Sequence, residues 1–194
     1  MTIRQRILKA IYPFLMWLTR LTGRNTHAFS GHNKPPVSFF SLNTTLNNGQ
    51  VLDFELLRGK KVLLVNTASN CGYTGQYAEL QKLADEYPDR LVVIGFPAND
   101  FREQEKGTDA EIAVFCQTHY GVKFPLAKKS VTIHSPHQNP VYQWLTDPAR
   151  NGWNKKQPSW NFSKYLVDES GTLARYFGPS VSPLSPEIRQ AIES

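Results

Sequence analysis

Apolar positions along this chain switch between two periods, and the switches mark out its elements. Lys61-Val-Leu-Leu-Val-Asn66 and Leu91-Val-Val-Ile-Gly-Phe96 are apolar at consecutive positions, the pattern of strands buried on both faces of a sheet. Between them, Tyr77, Leu80, Leu83, Ala84 and Tyr87 recur at three- and four-residue spacing, which predicts a helix over Gln76 to Tyr87 that Pro88 stops. Pro97 closes the second strand. Thr108, with Glu111 three residues on, reads as a capping box; the helix it opens carries Ile112, Phe115 and Cys116 on its apolar side and ends at Gly121. Ahead of these elements, Val37 to Leu46 and Gln50 to Phe54 flank Asn48-Gly49, a strong hairpin signal. Behind them, Phe162 to Val167 and Thr172 to Phe177 flank a second turn at Asp168-Glu-Ser-Gly171, and Pro186 opens a last helix through Ile192. Lys123 to Trp160 is proline-rich, and only a short helix near Val141 to Leu145 stands out from it.

Strand, helix, strand, helix, hairpin and helix is the order of an α/β protein with a central mixed sheet flanked by helices. The order is thioredoxin-like, with right-handed crossovers between parallel strands. A chain of 194 residues suits one such domain with an appendage. Gly31 to Pro36 reads as a linker, so the expected division is an extension over 1–36 and a folded domain over 37–194.

Charge sharpens that division. The net charge is +6, and the first acidic residue is Asp53. Arg4, Arg6, Lys9, Arg20, Arg24 and Lys34 all precede it, leaving 16 basic and 16 acidic residues after position 34. A nucleic-acid-binding domain carries its positive field on its own folded face, so no nucleic-acid partner is expected. The extension itself reads as a basic, amphipathic helix with Ile3, Ile7, Ile11, Leu15 and Leu18 in one stripe and Pro13 as a kink point. Its apolar stretch, Ala10 to Leu18, is half the length of a membrane span. Three readings stay open. One is a secretory signal cut after Thr26-His-Ala28, which Arg20 and Arg24 argue against. The second is a helix over residues 3–21 lying on an anionic membrane surface with Trp17 at the interface. The third is a helix docked on the domain, or a tail. The expected location is cytoplasmic, with peripheral membrane contact and export left open.

Candidate chemistry is sparse. Two cysteines, at 71 and 116, are too few for a disulfide scaffold and too far apart for a zinc knuckle. His119, His134 and His137 are not at ligand spacing with either cysteine, and neither a phosphate-cradling loop nor a dinucleotide fingerprint occurs, so no metal or cofactor is expected. Cys71 follows a buried strand and precedes a helix, where free N–H groups and the helix dipole favour an anion and hence a thiolate. Gly72 leaves room for a small substrate. Thr74 stands where a Cys-x-x-Cys element has its second cysteine, so the site suits oxidation better than disulfide exchange between partners.

Lys61 to Gly75 resembles the first signature of the glutathione peroxidase family, with cysteine in place of selenocysteine. Ile94 to Gly107 resembles its second motif and Pro158 to Asp168 its third, and together with the spacing they span residues 37 to 192. The resemblance implies a thioredoxin-type fold and reduction of hydrogen peroxide and organic or lipid hydroperoxides by a thiol. It makes Cys71 the peroxidatic residue, with Gln104, Trp160 and Asn161 as the neutral donors around it. Ala98, Asp100 and Arg102 depart from the family pattern, which has cysteine, glutamine and glycine there. The insertion that builds tetramers in the classical animal enzymes is missing, which implies a monomer or weak dimer. Ile112 to Gly121 looks like the resolving-cysteine helix of the thioredoxin-dependent branch, which would have Cys116 form a disulfide with Cys71; the competing reading of Cys116 is a packed core residue. Thioredoxin is the expected reductant, with glutathione as the alternative. A peroxide sensor that passes oxidation to a client protein is the alternative from another class.

Overall fold

In the computed structural model, residues 2–22 and 27–194 are described. In chain order the elements are α1 (Ile3–Thr22), β1 (Ala28–Ser30), β2 (Asn43–Thr45), β3 (Val51–Asp53), β4 (Lys61–Thr67), α2 (Gln76–Glu86), β5 (Leu91–Pro97), α3 (Asp109–Tyr120), α4 (Pro140–Thr146), α5 (Pro148–Asn151), β6 (Lys164–Val167), β7 (Leu173–Phe177) and α6 (Pro186–Glu193). The main sheet runs β1-β7-β6-β4-β5. Only β4 and β5 are parallel, with Leu64 opposite Ile94; the other neighbours are antiparallel.

β4 is buried along its whole length, as its unbroken apolar run requires at the centre of a sheet. Leu63 and Val65 join one core with residues of α1, α2, α3 and α6; Val62 and Leu64 join the other, with α4, Phe39, Phe40 and Phe54. Alternate side chains of one strand thus feed two cores, and helices cover both faces. This is a thioredoxin-like α/β architecture.

Three stretches differ from the sequence pattern. Val37 to Leu46 is strand only over Asn43–Thr45, because the adjacent Phe39 and Phe40 both enter one core, whereas a strand would point them to opposite faces; a 3₁₀ turn over Phe39–Ser41 accommodates them. β1 had no signal in the sequence. Its three residues are all exposed, and they form the sheet edge by pairing Phe29 with Tyr176. The third difference is α1, which runs unbroken through Pro13 and turns its strongest stripe outward. Ile3, Ile7, Ile11 and Leu18 are exposed, whereas Tyr12, Met16 and Thr19 are buried against the domain. The docking surface, and not the best hydrophobic period, selected the buried side. No described helix is long and apolar enough to cross a membrane. Arg24 and Thr26 of the suggested cleavage region lie outside the described residues.

Candidate active site

β4 ends at Thr67 and α2 begins at Gln76; the turn between them holds Cys71. Thr74 braces this turn. Its hydroxyl accepts from the Cys71 N–H at 3.0 Å and faces the Ala68 carbonyl at 3.0 Å, so threonine at this position works as a turn brace. The Tyr73 N–H donates to the Cys71 sulfur at 3.4 Å, and the Gly72 N–H also favours its charged form.

A second turn, Trp160 to Ser163, arrives from the neighbouring strand. β6 lies antiparallel to β4 with Lys164 opposite Val65, which puts this turn beside Asn66. Asn66 then holds it at three points: Nδ2 donates to the Trp160 carbonyl at 3.1 Å, Oδ1 accepts from Ser163 N–H at 3.0 Å, and its carbonyl accepts from Phe162 N–H at 2.6 Å. Phe162 adopts φ +69°, which costs a bulky L-residue about 1–2 kcal/mol. The Lys164 ammonium, wholly buried, donates to the Phe162 carbonyl at 2.8 Å and secures that conformation. Burial lowers the Lys164 pKa to about 7. The outcome is that the Trp160 indole and the Asn161 amide both come close enough to the Cys71 sulfur to favour its charged form.

Gln104 completes the cluster at one remove. Its Oε1 accepts from Asn161 Nδ2 at 2.8 Å, and its carbonyl accepts from the Asn70 N–H at 3.0 Å. The loop that carries it has φ +51° at both Arg102 and Glu103, a left-handed bend that glycine adopts freely. Arg102 compensates by placing its guanidinium 5.6 Å from the centre of the Trp160 ring, and Phe101 packs on the same ring at 5.2 Å. Asp100 turns away, accepting from Thr132 N–H and hydroxyl at 2.7 Å each. The departures at 100 and 102 therefore leave Gln104 beside Asn161.

The family model for glutathione peroxidase matches residues 39–146. The glutathione peroxidase-like peroxiredoxin GPX5 of Chlamydomonas reinhardtii is 41% identical over 159 residues, covering 80% of this chain and 97% of that protein. The glutathione peroxidase-like peroxiredoxin 2 of Saccharomyces cerevisiae is 40% identical over 159 residues, covering 81% and 96%. The crystal structure of Trgpx in apo form superposes with a TM-score of 0.62 at 30% identity, over 82% of this chain and 97% of that one. The chain belongs to the glutathione peroxidase family. It is a cysteine-type peroxidase of that family, with a free thiol at position 71.

The electrostatics around Cys71 correct one expectation from the sequence. Cys71 is 1% exposed, and burial pushes its thiol up despite the Tyr73, Trp160, Asn161 and Gly72 donors that pull it down. The position before α2 does not by itself make a thiolate here, because desolvation outweighs the donors. Cys116 lies in α3, also wholly buried and free. Burial raises its pKa to about 12, even though the nearby Tyr77 side chain pulls it down. The two cysteines belong to one core cluster and no disulfide joins them.

No pattern in the residues singles out Asn66, Lys164 or Glu105. Glu105 sits in a charged loop motif that reads as solvated, yet it is 1% exposed and accepts from the Ser69 hydroxyl at 2.9 Å. Burial raises its pKa from 4.5 to about 7. The folded protein therefore keeps this proton up to about pH 7 while the unfolded chain loses it near 4.5, so stability falls as pH rises through that window. Glu105→Gln removes this penalty. Urea unfolding at pH 8 should show the variant more stable by about 2–3 kcal/mol, with the two proteins converging near pH 4. Equal stability at pH 8 would show that the carboxylate is ionised without cost.

Proposed function

We propose that this peroxidase reduces hydroperoxides at Cys71, with Cys116 as the resolving residue and a thioredoxin-class dithiol protein as reductant. The Cys71 thiolate attacks the terminal peroxide oxygen. The O–O bond breaks, an alcohol or water leaves with a proton, and Cys71 becomes a sulfenic acid. The Cys116 thiol then attacks the Cys71 sulfur, expels water and forms the disulfide. Two exchange steps with the dithiol protein return both thiols and leave that protein oxidised.

The observation that carries this reading is the convergence of the Trp160 indole and the Asn161 amide on the Cys71 sulfur. Both are neutral donors, so they stabilise negative charge on sulfur without a group that titrates. Asn161 Oδ1 is buried and has no hydrogen-bond partner, which makes it the acceptor for a hydroperoxide O–H. Gln104 orients that amide. We read residues 37–194 as the catalytic domain, acting as a monomer or weak dimer, with the preceding segment folded back on it.

The test is turnover of hydrogen peroxide and a lipid hydroperoxide with thioredoxin and with glutathione in parallel, with peptide mapping after one equivalent of peroxide. Thioredoxin should support turnover, glutathione should not, and a Cys71–Cys116 peptide pair should appear. Turnover with glutathione alone, and no such pair, would reassign the reductant. A single stable mixed disulfide with a client, and poor turnover with either, would make the protein a relay.

A further inference from the structure

Helix α1 lies directly on the peroxidatic turn. A methyl group on Gly72 would sit 2.8 Å from Leu15 Cδ2, and one on Gly75 would sit 2.6 Å from Tyr12 Cγ. The Tyr12 hydroxyl donates to Glu79 of α2 at 2.7 Å, and the Gln5 amide reaches the Ser69 carbonyl at 3.5 Å. The same helix grips the segment that carries the other cysteine. Lys9 donates to the His119 carbonyl at 3.0 Å and lies 4.8 Å from the Tyr120 ring centre, both in the last turn of α3. Tyr12 and Met16 belong to the core cluster that holds Cys71 and Cys116. One helix thus covers the reacting thiol and pins the turn that must move for Cys116 to reach it.

Its other side is unpartnered. Ile3, Ile7, Ile11, Phe14, Trp17, Leu18 and Leu21 are all exposed, and at 100° per residue they form one stripe opposite Tyr12, Met16 and Thr19. Arg4 and Arg6 lie between the two sides, Lys9 borders the domain side, the sequence adds Arg20 and Arg24, and no acidic residue occurs before Asp53. A helix apolar on opposite sides and basic between them has only one side covered on the domain. In the headgroup region of a bilayer both apolar sides are covered, and the basic residues meet anionic lipid.

We propose that α1 is a lid on the peroxidatic site, closed in solution and opened by transfer of the helix to an anionic lipid surface. The inference rests on the role proposed for Cys71. It deepens that role by coupling thiol access to the place where lipid hydroperoxides form. Opening also removes the burial that holds the Cys71 thiol up, leaving the Trp160 and Asn161 donors to favour the thiolate.

The test uses the full chain and reads the rate at which maleimide alkylates Cys71, followed by mass spectrometry of its peptide. It needs no peroxide, so a failed lid and a failed peroxidase assignment give different results. Two routes open the lid. Tyr12→Ala/Leu15→Ala deletes its contacts. Gly75→Ala expels the Tyr12 ring from the domain side, at a backbone (φ −57°, ψ −21°) that alanine accepts. Each should raise the rate about tenfold or more, and phosphatidylglycerol-containing vesicles should do the same for wild type. Pure phosphatidylcholine vesicles should not, and Phe14→Ser/Trp17→Ser should blunt the response to the anionic ones. Wild-type rates in both opening variants would overturn the lid. No acceleration by anionic vesicles, or equal acceleration by neutral ones, would overturn the lipid trigger.

Discussion

Cys116→Ser should abolish turnover driven by thioredoxin while leaving oxidation of Cys71 by one equivalent of peroxide intact. In the reduced fold Cys116 is inert: it is wholly buried, its pKa stands at about 12, and it is not bonded to Cys71. On the mechanism proposed above, this buried thiol becomes available through local opening of α3. The bonds at risk are few. Cys116 lies one turn from the end of α3, where the Val122 N–H meets the Cys116 carbonyl at 3.3 Å and the Gly121 N–H meets the Gln117 carbonyl at 3.0 Å. Opening one helical turn at an element's end lies at the low end of local unfolding free energies. Burial then works in favour of the step, since a thiol released from the core recovers ordinary reactivity. The check is a coupled turnover assay with mass mapping of the Cys71 peptide. The variant should accumulate sulfenic acid and stop. Full thioredoxin-driven turnover would mean that Cys116 is only a packed residue and that an external thiol resolves Cys71 directly.

Asn161→Ala should slow the oxidation of Cys71 by about 10²–10³-fold, the usual cost of removing one donor that faces developing charge in a dry site. Its amide donates to Gln104 Oε1 and sits near the Cys71 sulfur, where it favours the charged form. Truncation also leaves the buried Gln104 oxygen without that donor. Asn161→Asp separates charge from shape. A carboxylate is acceptor-only and negative, so it opposes the thiolate and moves the pH–rate profile of Cys71 oxidation to higher pH. Stopped-flow oxidation with hydrogen peroxide across pH 5–10 reads both effects. Rates and a pH profile unchanged from wild type in the two variants would make Asn161 structural and leave Trp160 and the Tyr73 N–H to do the work.

Elements written in strong local code were legible from the residues. β4 and β5 are apolar at successive positions because each is buried on both faces, and no neighbouring context is needed to see it. α3 announced its start through Thr108 and Glu111, whose reciprocal bonds are present, and its end through Gly121 at φ +64°. Both signals are complete within a few residues. The hairpin at Asn48-Gly49 is likewise self-contained, although its strands are only three residues each.

Where order depends on distant partners, the residues carried no pattern. The stretch from Lys123 to Trp160 is held by bonds such as Lys123 N–H to Gln81 Oε1 at 2.6 Å, Thr132 N–H to Asp100 Oδ2 at 2.7 Å, and Trp144 Nε1 to the Val37 carbonyl at 2.7 Å. Amides that satisfy backbone across a fold obey no period.

For the proposed site, sequence by itself supplied the candidates: Cys71 between a buried strand and a helix, and the motif positions of Gln104, Trp160 and Asn161. Tertiary structure decided what those groups experience. It brought Trp160 and Asn161 to the sulfur by way of Asn66 and Lys164, and it buried Glu105 in a loop whose charges read as solvated. It also chose which side of α1 is covered. A stripe at helical spacing establishes that a helix has an apolar side, but the shape of the surface it meets selects the side that is buried. Here that surface is the glycine-bordered turn around Cys71, which admits Tyr12 and Leu15 and leaves Ile3, Ile7 and Ile11 outside. Desolvation then raises the thiol's pKa, because burial depends on every element packed around a group and not on its neighbours in the chain.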